Sequence, residues 1–224
     1  MLLLSLIIAE AALETVPKAI SKHPSVVKQA SKRGKSVDEM LLDRSYHHAA
    51  MLKLKDAVKR GRPDLIHFAI LEATSTPLYQ KNMLAVYLHT VANKVIFVGE
   101  NVRVPKSYFR FEGLLEDLFK KGQIKTESSV LMEIKSIGFC ELLEKIKLTR
   151  VMGLSRTGTR SSAEEVAKQL DDHTAIVIGG FPKGSFSKNV SDRLNYTYSI
   201  SDRALEAHLV ISRILYECEK ILFK

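Results

Sequence analysis

From residue 149 onward, short apolar runs alternate with longer amphipathic stretches, and this rhythm restricts the fold more than any other feature of the chain. Residues 149–154 read as a strand, 162–170 as a helix, 175–178 and 196–200 as strands, and 202–222 as a long final helix. Ser201 or Asp202 is placed to cap that last helix. Several of the strand candidates are unbroken apolar runs, the pattern of strands covered on both faces. Strands interleaved with helices then specify an α/β sheet, much of it parallel.

Residues 2–9 form another such run, interrupted by Ser5 and closed by Glu10. The run is too short for a membrane span of about 20 residues and lacks the basic leader of a signal peptide, so it reads as a buried strand of a soluble, cytoplasmic protein. Residues 11–58 are helical in pattern but broken by Pro17, Pro24 and the Lys32-Arg33-Gly34-Lys35 stop. Residues 64–73 are apolar over about a strand's length, and Thr76-Pro77 breaks the chain behind them. Residues 83–90 and 95–98 look like a hairpin, 108–121 a helix ended by Gly122, 130–134 a strand and 139–146 a helix. No repeat or linker interrupts this. The expected organisation is one domain, 1–224, with a basic helical extension around 11–60 and a hairpin insertion around 76–105.

With 224 residues of which 46% are hydrophobic, the chain has enough apolar material for a sizeable core, which excludes disorder as its main state. Its formal charge of +9 makes a polyanion or an anionic surface the default partner. From residue 18 to residue 62 there are 12 Lys or Arg against four acids. Cys140 and Cys218 stand far apart without CxxC or metal-ligand spacing, so neither a disulfide scaffold nor a metal site is expected.

Three stretches at strand ends could carry chemistry. Ile178-Gly179-Gly180-Phe181-Pro182-Lys183-Gly184 has glycines that permit a sharp turn and close approach to a ligand, but it matches neither GxGxxG nor the phosphate-binding GK ending. Leu154-Ser155-Arg156-Thr157-Gly158 is the second and Ser199-Ile200-Ser201-Asp202-Arg203-Ala204-Leu205 the third. Ligands of open α/β sheets bind outside the carboxyl ends of strands, so three such loops suggest one pocket. Arg62 and Asp64, flanking Pro63 at the start of the 64–73 strand, could pair and hold a guanidinium at the sheet edge. His67 reads as a core residue, and Asp43 with His47, four apart on a helix, as a structural hydrogen bond. Arg103, Lys106 and Arg110 are interleaved with Tyr108, Phe109 and Phe111, the combination of cations and rings that unstacked RNA bases and their phosphates require.

In this order, GRPDLIH at 61–67, YLHT at 87–90, RVPKSYFRFEG at 103–113, IGGFPKG at 178–184 and SISDRAL at 199–205 resemble the ribosome-biogenesis pseudouridine N1-methyltransferases, which belong to the SPOUT class of knotted α/β enzymes. The compact length is similar to the archaeal branch. The resemblance implies a homodimer whose C-terminal part is threaded into a deep trefoil knot, a topology that strand alternation could never reveal. It implies binding of S-adenosylmethionine at Leu154, Gly179, Gly184, Ile200, Ser201, Asp202, Arg203, Ala204 and Leu205, mostly through backbone groups. It implies methylation of N1 of a pseudouridine in small-subunit ribosomal RNA and a role in small-subunit assembly, with ribosomal proteins or assembly factors as further partners. Arg62, Arg103, Lys106 and Arg110 fall at RNA-contacting positions. Lys106 departs from the usual arginine and forgoes bidentate phosphate contact. Asp64 is the carboxylate to test as a proton acceptor, although its position implies that it orients an arginine, and its removal is expected to cost both RNA affinity and folded yield. Two other readings compete: an RNA-binding assembly factor whose methylation is dispensable, and a SPOUT enzyme with another RNA target.

Overall fold

The structure is a computed structural model that describes residues 3–223; the start of the strand expected at Leu2 lies outside the described residues. In chain order the elements are β1 (Leu4–Ala11), α1 (Pro24–Arg33), α2 (Arg44–Met51), α3 (Pro63–Ser75), α4 (Pro77–Gln80), β2 (Leu84–Thr90), β3 (Val95–Val98), α5 (Tyr108–Lys121), β4 (Gln123–Lys125) and β5 (Val130–Lys135). The second half continues with α6 (Phe139–Ile146), β6 (Arg150–Arg160), α7 (Ala163–Ala167), β7 (Thr174–Gly179), α8 (Lys188–Ser191), β8 (Tyr196–Ser199) and α9 (Ala207–Leu222).

The strands form one eight-stranded sheet in the order β4-β5-β3-β2-β1-β7-β6-β8. The ladders from β2 through β1, β7 and β6 to β8 are parallel, and those joining β2, β3, β5 and β4 are antiparallel. The central strands bury both faces. Leu4, Leu6 and Ile8 of β1 enter one apolar cluster with Ile176 and Ile178, while Ile7 and Ala9 enter a second with Ala175 and Val177. Two-sided burial is why these strands read as continuous apolar runs. The hairpin expected at 83–98 is present, and its first strand pairs with β1 inside the main sheet.

The extension between β1 and α3 has a small core of its own, built on Val16, Ile20, Val26, Met40, Leu42 and Met51. Ion pairs fasten it to the sheet layers: Arg33 to Glu112 and Glu116, Lys35 to Glu116, Lys59 to Glu10 and Arg60 to Glu14. All four carboxylates are buried. Part of the basic charge of this region therefore neutralises buried acids.

Two sequence-based expectations are corrected. Residues 64–73 are helical, not extended: Pro63 occupies the first turn of α3, where its missing N–H costs nothing, and Pro63, Ile66, His67, Ala69, Ile70, Ala73 and Thr74 are buried at helical spacing. The last helix begins at Ala207 behind Glu206, not at 202. Ser201 makes a local turn instead, its Oγ accepting from the Arg203 N–H at 3.2 Å, which resembles a helix cap in sequence but initiates none. Among the described residues, no helix is long and apolar enough to cross a membrane.

Candidate active site

Strands β6, β7 and β8 run parallel, and the segments that leave their carboxyl ends enclose a cavity of about 560 Å³. That volume falls within the range of about 300–1,000 Å³ usual for small-molecule sites. One wall arises from an irregularity in β6. Leu154 is paired with Tyr198, and so is Thr159, so residues 155–158 are pushed out of the ladder before the strand rejoins it. Ser155, Arg156 and Thr157 on this excursion face the cavity. Gly158 closes it where no side chain fits: a Cβ there would lie 2.6 Å from the backbone of Thr197 and Tyr198.

The second wall is the segment after β7. Its first residue is tied to β1 by backbone bonds, Gly180 N–H to Ala9 O and Ala12 N–H to Gly180 O, both 2.8 Å. Gly184 adopts φ +109°, a conformation that side chains rarely tolerate. The third wall is the turn between β8 and α9. Of the residues expected to hold a cofactor, Leu154, Gly179, Gly184, Ile200, Ser201, Arg203, Ala204 and Leu205 line the cavity; Asp202 does not, and is exposed. Leu65 and Tyr198 line it too. Leu65 lies in the first turn of α3, behind Pro63, and nothing in an extended 64–73 segment would mark it as a cavity residue.

Leu65 places the first turn of α3 at the cavity wall. Asp64 lies beside it, and the Arg62 guanidinium donates to both carboxylate oxygens of Asp64, Nε to Oδ1 and Nη2 to Oδ2, each at 2.8 Å. The expected pairing is present, at a helix start rather than a sheet edge. Both side chains are about one-third exposed (34% and 37%), so removing Asp64 leaves no buried, unpaired arginine, the situation that would carry the expected loss of folded yield.

His67 is buried, as expected of a core residue, and donates from Nε2 to the carbonyl of Pro105 at 2.7 Å. Its ring also stacks on Phe111, with centroids 4.5 Å apart. It thereby fastens α3 to the segment that carries Arg103 and Lys106. Those two residues and Arg110 are exposed, and among the described residues none of the three forms an ion pair. The interleaved rings divide: Phe109 is 72% exposed, whereas Phe111 belongs to the core. Tyr108 donates its hydroxyl to Asp43 Oδ2 at 2.6 Å, and burial, with Asp43 adding to it, holds the phenol well above its ordinary range. Asp43 also accepts from the Ser45 N–H and donates its own N–H to His47, so the Asp43–His47 pair is a structural cap. Among the described residues, no group of three or more His, Cys, Asp or Glu is placed to hold a metal ion.

The profile of the EMG1/NEP1 methyltransferases matches residues 6–219. The chain belongs to the EMG1/NEP1 methyltransferase family. "Ribosomal RNA small subunit methyltransferase Nep1" of Staphylothermus marinus is 40% identical over 220 residues, 97% of this chain and 96% of the relative. The protein of the same name from Saccharolobus solfataricus is 39% identical, covering 98% of both chains. The crystal structure of Archaeoglobus fulgidus Nep1 bound to S-adenosylhomocysteine superposes with a TM-score of 0.89 at 32% identity, covering 99% of each chain.

The EMG1/NEP1 cavity of this chain suits a nucleoside cofactor with an amino-acid tail. Leu154, Ile178, Ile200, Leu205 and Val210 make up its apolar walls. Ser155, Thr157 and the glycine-containing segment contribute the polar part of the lining, the kind of group that fixes a ligand's orientation. Gly184 combines its positive φ with a close neighbour: a Cβ there would lie 3.2 Å from Cε of Lys59.

Proposed function

We propose that this chain, acting as a single domain over residues 1–224, transfers a methyl group from S-adenosylmethionine to N1 of a pseudouridine in small-subunit ribosomal RNA. The observation that carries the reading is the junction at Leu65, where the wall of the cofactor cavity continues into the Arg62–Asp64 pair. The Nep1 relatives are named as small-subunit ribosomal RNA methyltransferases, and the related crystal structure holds S-adenosylhomocysteine, the product left after methyl transfer.

When bound, the cofactor supplies a methyl group already activated on a sulfonium. The cavity segments hold it through backbone groups and apolar walls. Pseudouridine N1 carries an imide-like proton and becomes nucleophilic as that proton leaves, so the remaining task of the protein is alignment. Orientation of this kind can supply about 7–11 kcal/mol of a barrier, which lowers the demand for a strong base. Both Asp64 oxygens are occupied by Arg62, which supports Asp64 as the residue that aims Arg62 at the RNA rather than as proton acceptor. Arg103, Lys106 and Arg110 bind flanking phosphates.

The wider reading follows the family resemblance. The C-terminal segment is threaded as a trefoil knot, as the family resemblance implies, and the superposition on the Archaeoglobus fulgidus Nep1 structure supports it. The enzyme works in the cytoplasm, and it is a homodimer; the exposed apolar side chains Phe68, Leu209 and Tyr216 on α3 and α9 support the dimer. Sedimentation should give a dimer at micromolar concentration.

The deciding experiment offers S-adenosylmethionine with labelled methyl to two RNA loops that differ only in pseudouridine or uridine at the target. Methyl transfer to the pseudouridine RNA alone, mapped to N1 by mass spectrometry, is expected, because N1 of uridine is the glycosidic nitrogen. Equal transfer to both moves the reaction to another atom. Tight RNA binding without transfer would favour the assembly-factor reading.

A further inference from the structure

Glu10 occupies an unusual conformation for a residue near the end of a central strand. Its φ is +50°, in the left-handed region that non-glycine residues avoid. Asparagine and aspartate tolerate this region best, and Asp56, Asn82, Asn93 and Asn101 adopt it here, as does Lys147 where it ends α6; Glu10 adopts it inside β1, where the ladder to β2 slips between Ile8 and Ala11. In unbroken alternation, position 10 would follow Leu4, Leu6 and Ile8 onto an apolar face. The left-handed residue takes the carboxylate out of that series, and an observed backbone outlier of this sort calls for a function.

The carboxylate is buried and fully engaged. Oε1 accepts from the Ser187 N–H at 2.9 Å, and Oε2 accepts from Lys59 Nζ at 2.7 Å. Lys59 Nζ also stands 4.5 Å from the centre of the Phe181 ring, a cation–π contact. Its Cε lies 3.2 Å from the point where a side chain on Gly184 would begin. Phe181 and Gly184 line the cofactor cavity. Glu10 and Lys59 therefore touch the segment 180–187 at Phe181, Gly184 and Ser187, while the backbone of β1 holds its start at Gly180. Lys59 belongs to a 3-10 turn, Ala57–Lys59, of the basic extension, three residues before Arg62. Burial raises the Glu10 carboxyl, but the hydrogen bonds from Lys59 and Ser187 more than offset it, leaving the group below its ordinary range and ionised.

We propose that Glu10 and Lys59 form a latch that sets the shape of segment 180–187, making Glu10 a positioning residue for cofactor binding and tying the basic extension to the cofactor cavity. This rests on the methyltransferase reading above and names the residues that shape its site.

The neighbouring ion pair Arg60–Glu14 provides the control. It is as close (2.6 Å) and as buried as Lys59–Glu10, and none of its hydrogen bonds reaches segment 180–187. The full-length protein is titrated with S-adenosylhomocysteine, and separately with an RNA loop in the absence of cofactor, alongside a thermal melt of the free protein. Glu10→Ala and Lys59→Met are expected to weaken S-adenosylhomocysteine at least tenfold and to leave RNA affinity unchanged. Glu10→Gln, which still accepts from Ser187, should recover part of the loss, and the double variant should be no weaker than the worse single one. Arg60→Met should lower the melting temperature without changing cofactor affinity. Wild-type affinity in both Glu10→Ala and Lys59→Met overturns the latch, as does an equal cofactor loss in Arg60→Met. If Glu10→Ala does not fold, Lys59→Met, altered only on the extension side, carries the same test. Failure of the wild-type protein to bind S-adenosylhomocysteine would instead overturn the methyltransferase reading.

Discussion

Glu116 and Glu112 sit one turn apart on α5 and share Arg33, yet their situations differ. Glu116 accepts from both Arg33 terminal nitrogens at 2.9 and 3.0 Å, from Lys35 at 2.5 Å and from the Leu41 N–H at 3.1 Å. Glu112 has the single Arg33 contact at 2.7 Å. Its burial, aided by the charges of Glu116 and Asp43 and opposed by Arg33, holds its carboxyl above the ordinary range. A carboxyl whose pKa is raised by folding binds its proton more tightly in the folded state, so ionised Glu112 costs stability and that cost is relieved as pH falls through its folded pKa. Glu112→Gln should therefore shift stability by less than about 1 kcal/mol at neutral pH. Glu116→Gln leaves two cations facing a neutral side chain and should cost about 3–5 kcal/mol, the general figure for breaking a buried pair. Urea midpoints for the two variants measure the difference; equal losses would contradict it. Asp64 lies at the other extreme. Its pair with Arg62 is one-third exposed, so Asp64→Asn should change stability by no more than about 1 kcal/mol, while releasing Arg62 and weakening RNA binding. A large drop in the melting temperature would show that the pair holds the fold and not the RNA.

At the scale of elements, the cavity depends on a strand that leaves its ladder. Residues 155–158 bulge from β6 and return at Thr159, and the turn back passes so close to β8 that only glycine fits at 158. Gly158→Ala forces a methyl group against backbone, which cannot rotate away, so a cost of about 1–3 kcal/mol is expected with loss of S-adenosylhomocysteine binding. Calorimetric titration beside a urea melt checks both, and unchanged binding would detach the excursion from the cofactor. The same region shows what was legible in the sequence. The apolar runs of β1, β6 and β7 betrayed a two-sided sheet because burial on both faces leaves no polar alternation. The glycine-bearing segment after β7 was visible because tight turns need glycine. The excursion was not visible, since Ser155–Gly158 contains nothing that separates a bulge from an ordinary strand end. The apolar run of ten residues in α3 suits a strand as well as a helix, and the sign that decides between them is Pro63 at its first turn. The start of α9 is not legible at Ser201, which makes the same bond to the N–H two residues on whether or not a helix follows. Glu10 gave no sign at all: a left-handed glutamate is a tertiary outcome, fixed by Lys59 and Ser187, which lie 49 and 177 residues away.

The molecule as a whole carries a formal charge of +9, but its cations do two different jobs. Arg33, Lys35, Lys59 and Arg60 are spent on buried carboxylates that hold the extension against the sheet layers. Lys18, Lys22 and Lys28 are exposed on the outer side of that extension, and Arg103, Lys106 and Arg110 are exposed on the segment that His67 ties to α3. Composition cannot distinguish these groups, and only the last belongs to the proposed RNA path toward the cavity. Each phosphate contact with single-stranded RNA contributes about 0.7 to the slope of log K against log salt. Removing Arg103, Lys106 and Arg110 together by alanine substitution should flatten that slope by about 2, with lysine at 106 keeping its full share because the slope counts charge and not geometry. Cofactor affinity should not change, since none of the three lines the cavity. Replacing Lys18, Lys22 and Lys28 should leave the slope as it was. Filter binding of a pseudouridine-containing loop across a salt series measures both triple variants, and the opposite ranking would place the RNA on the outer face of the extension, away from Arg62 and the cavity.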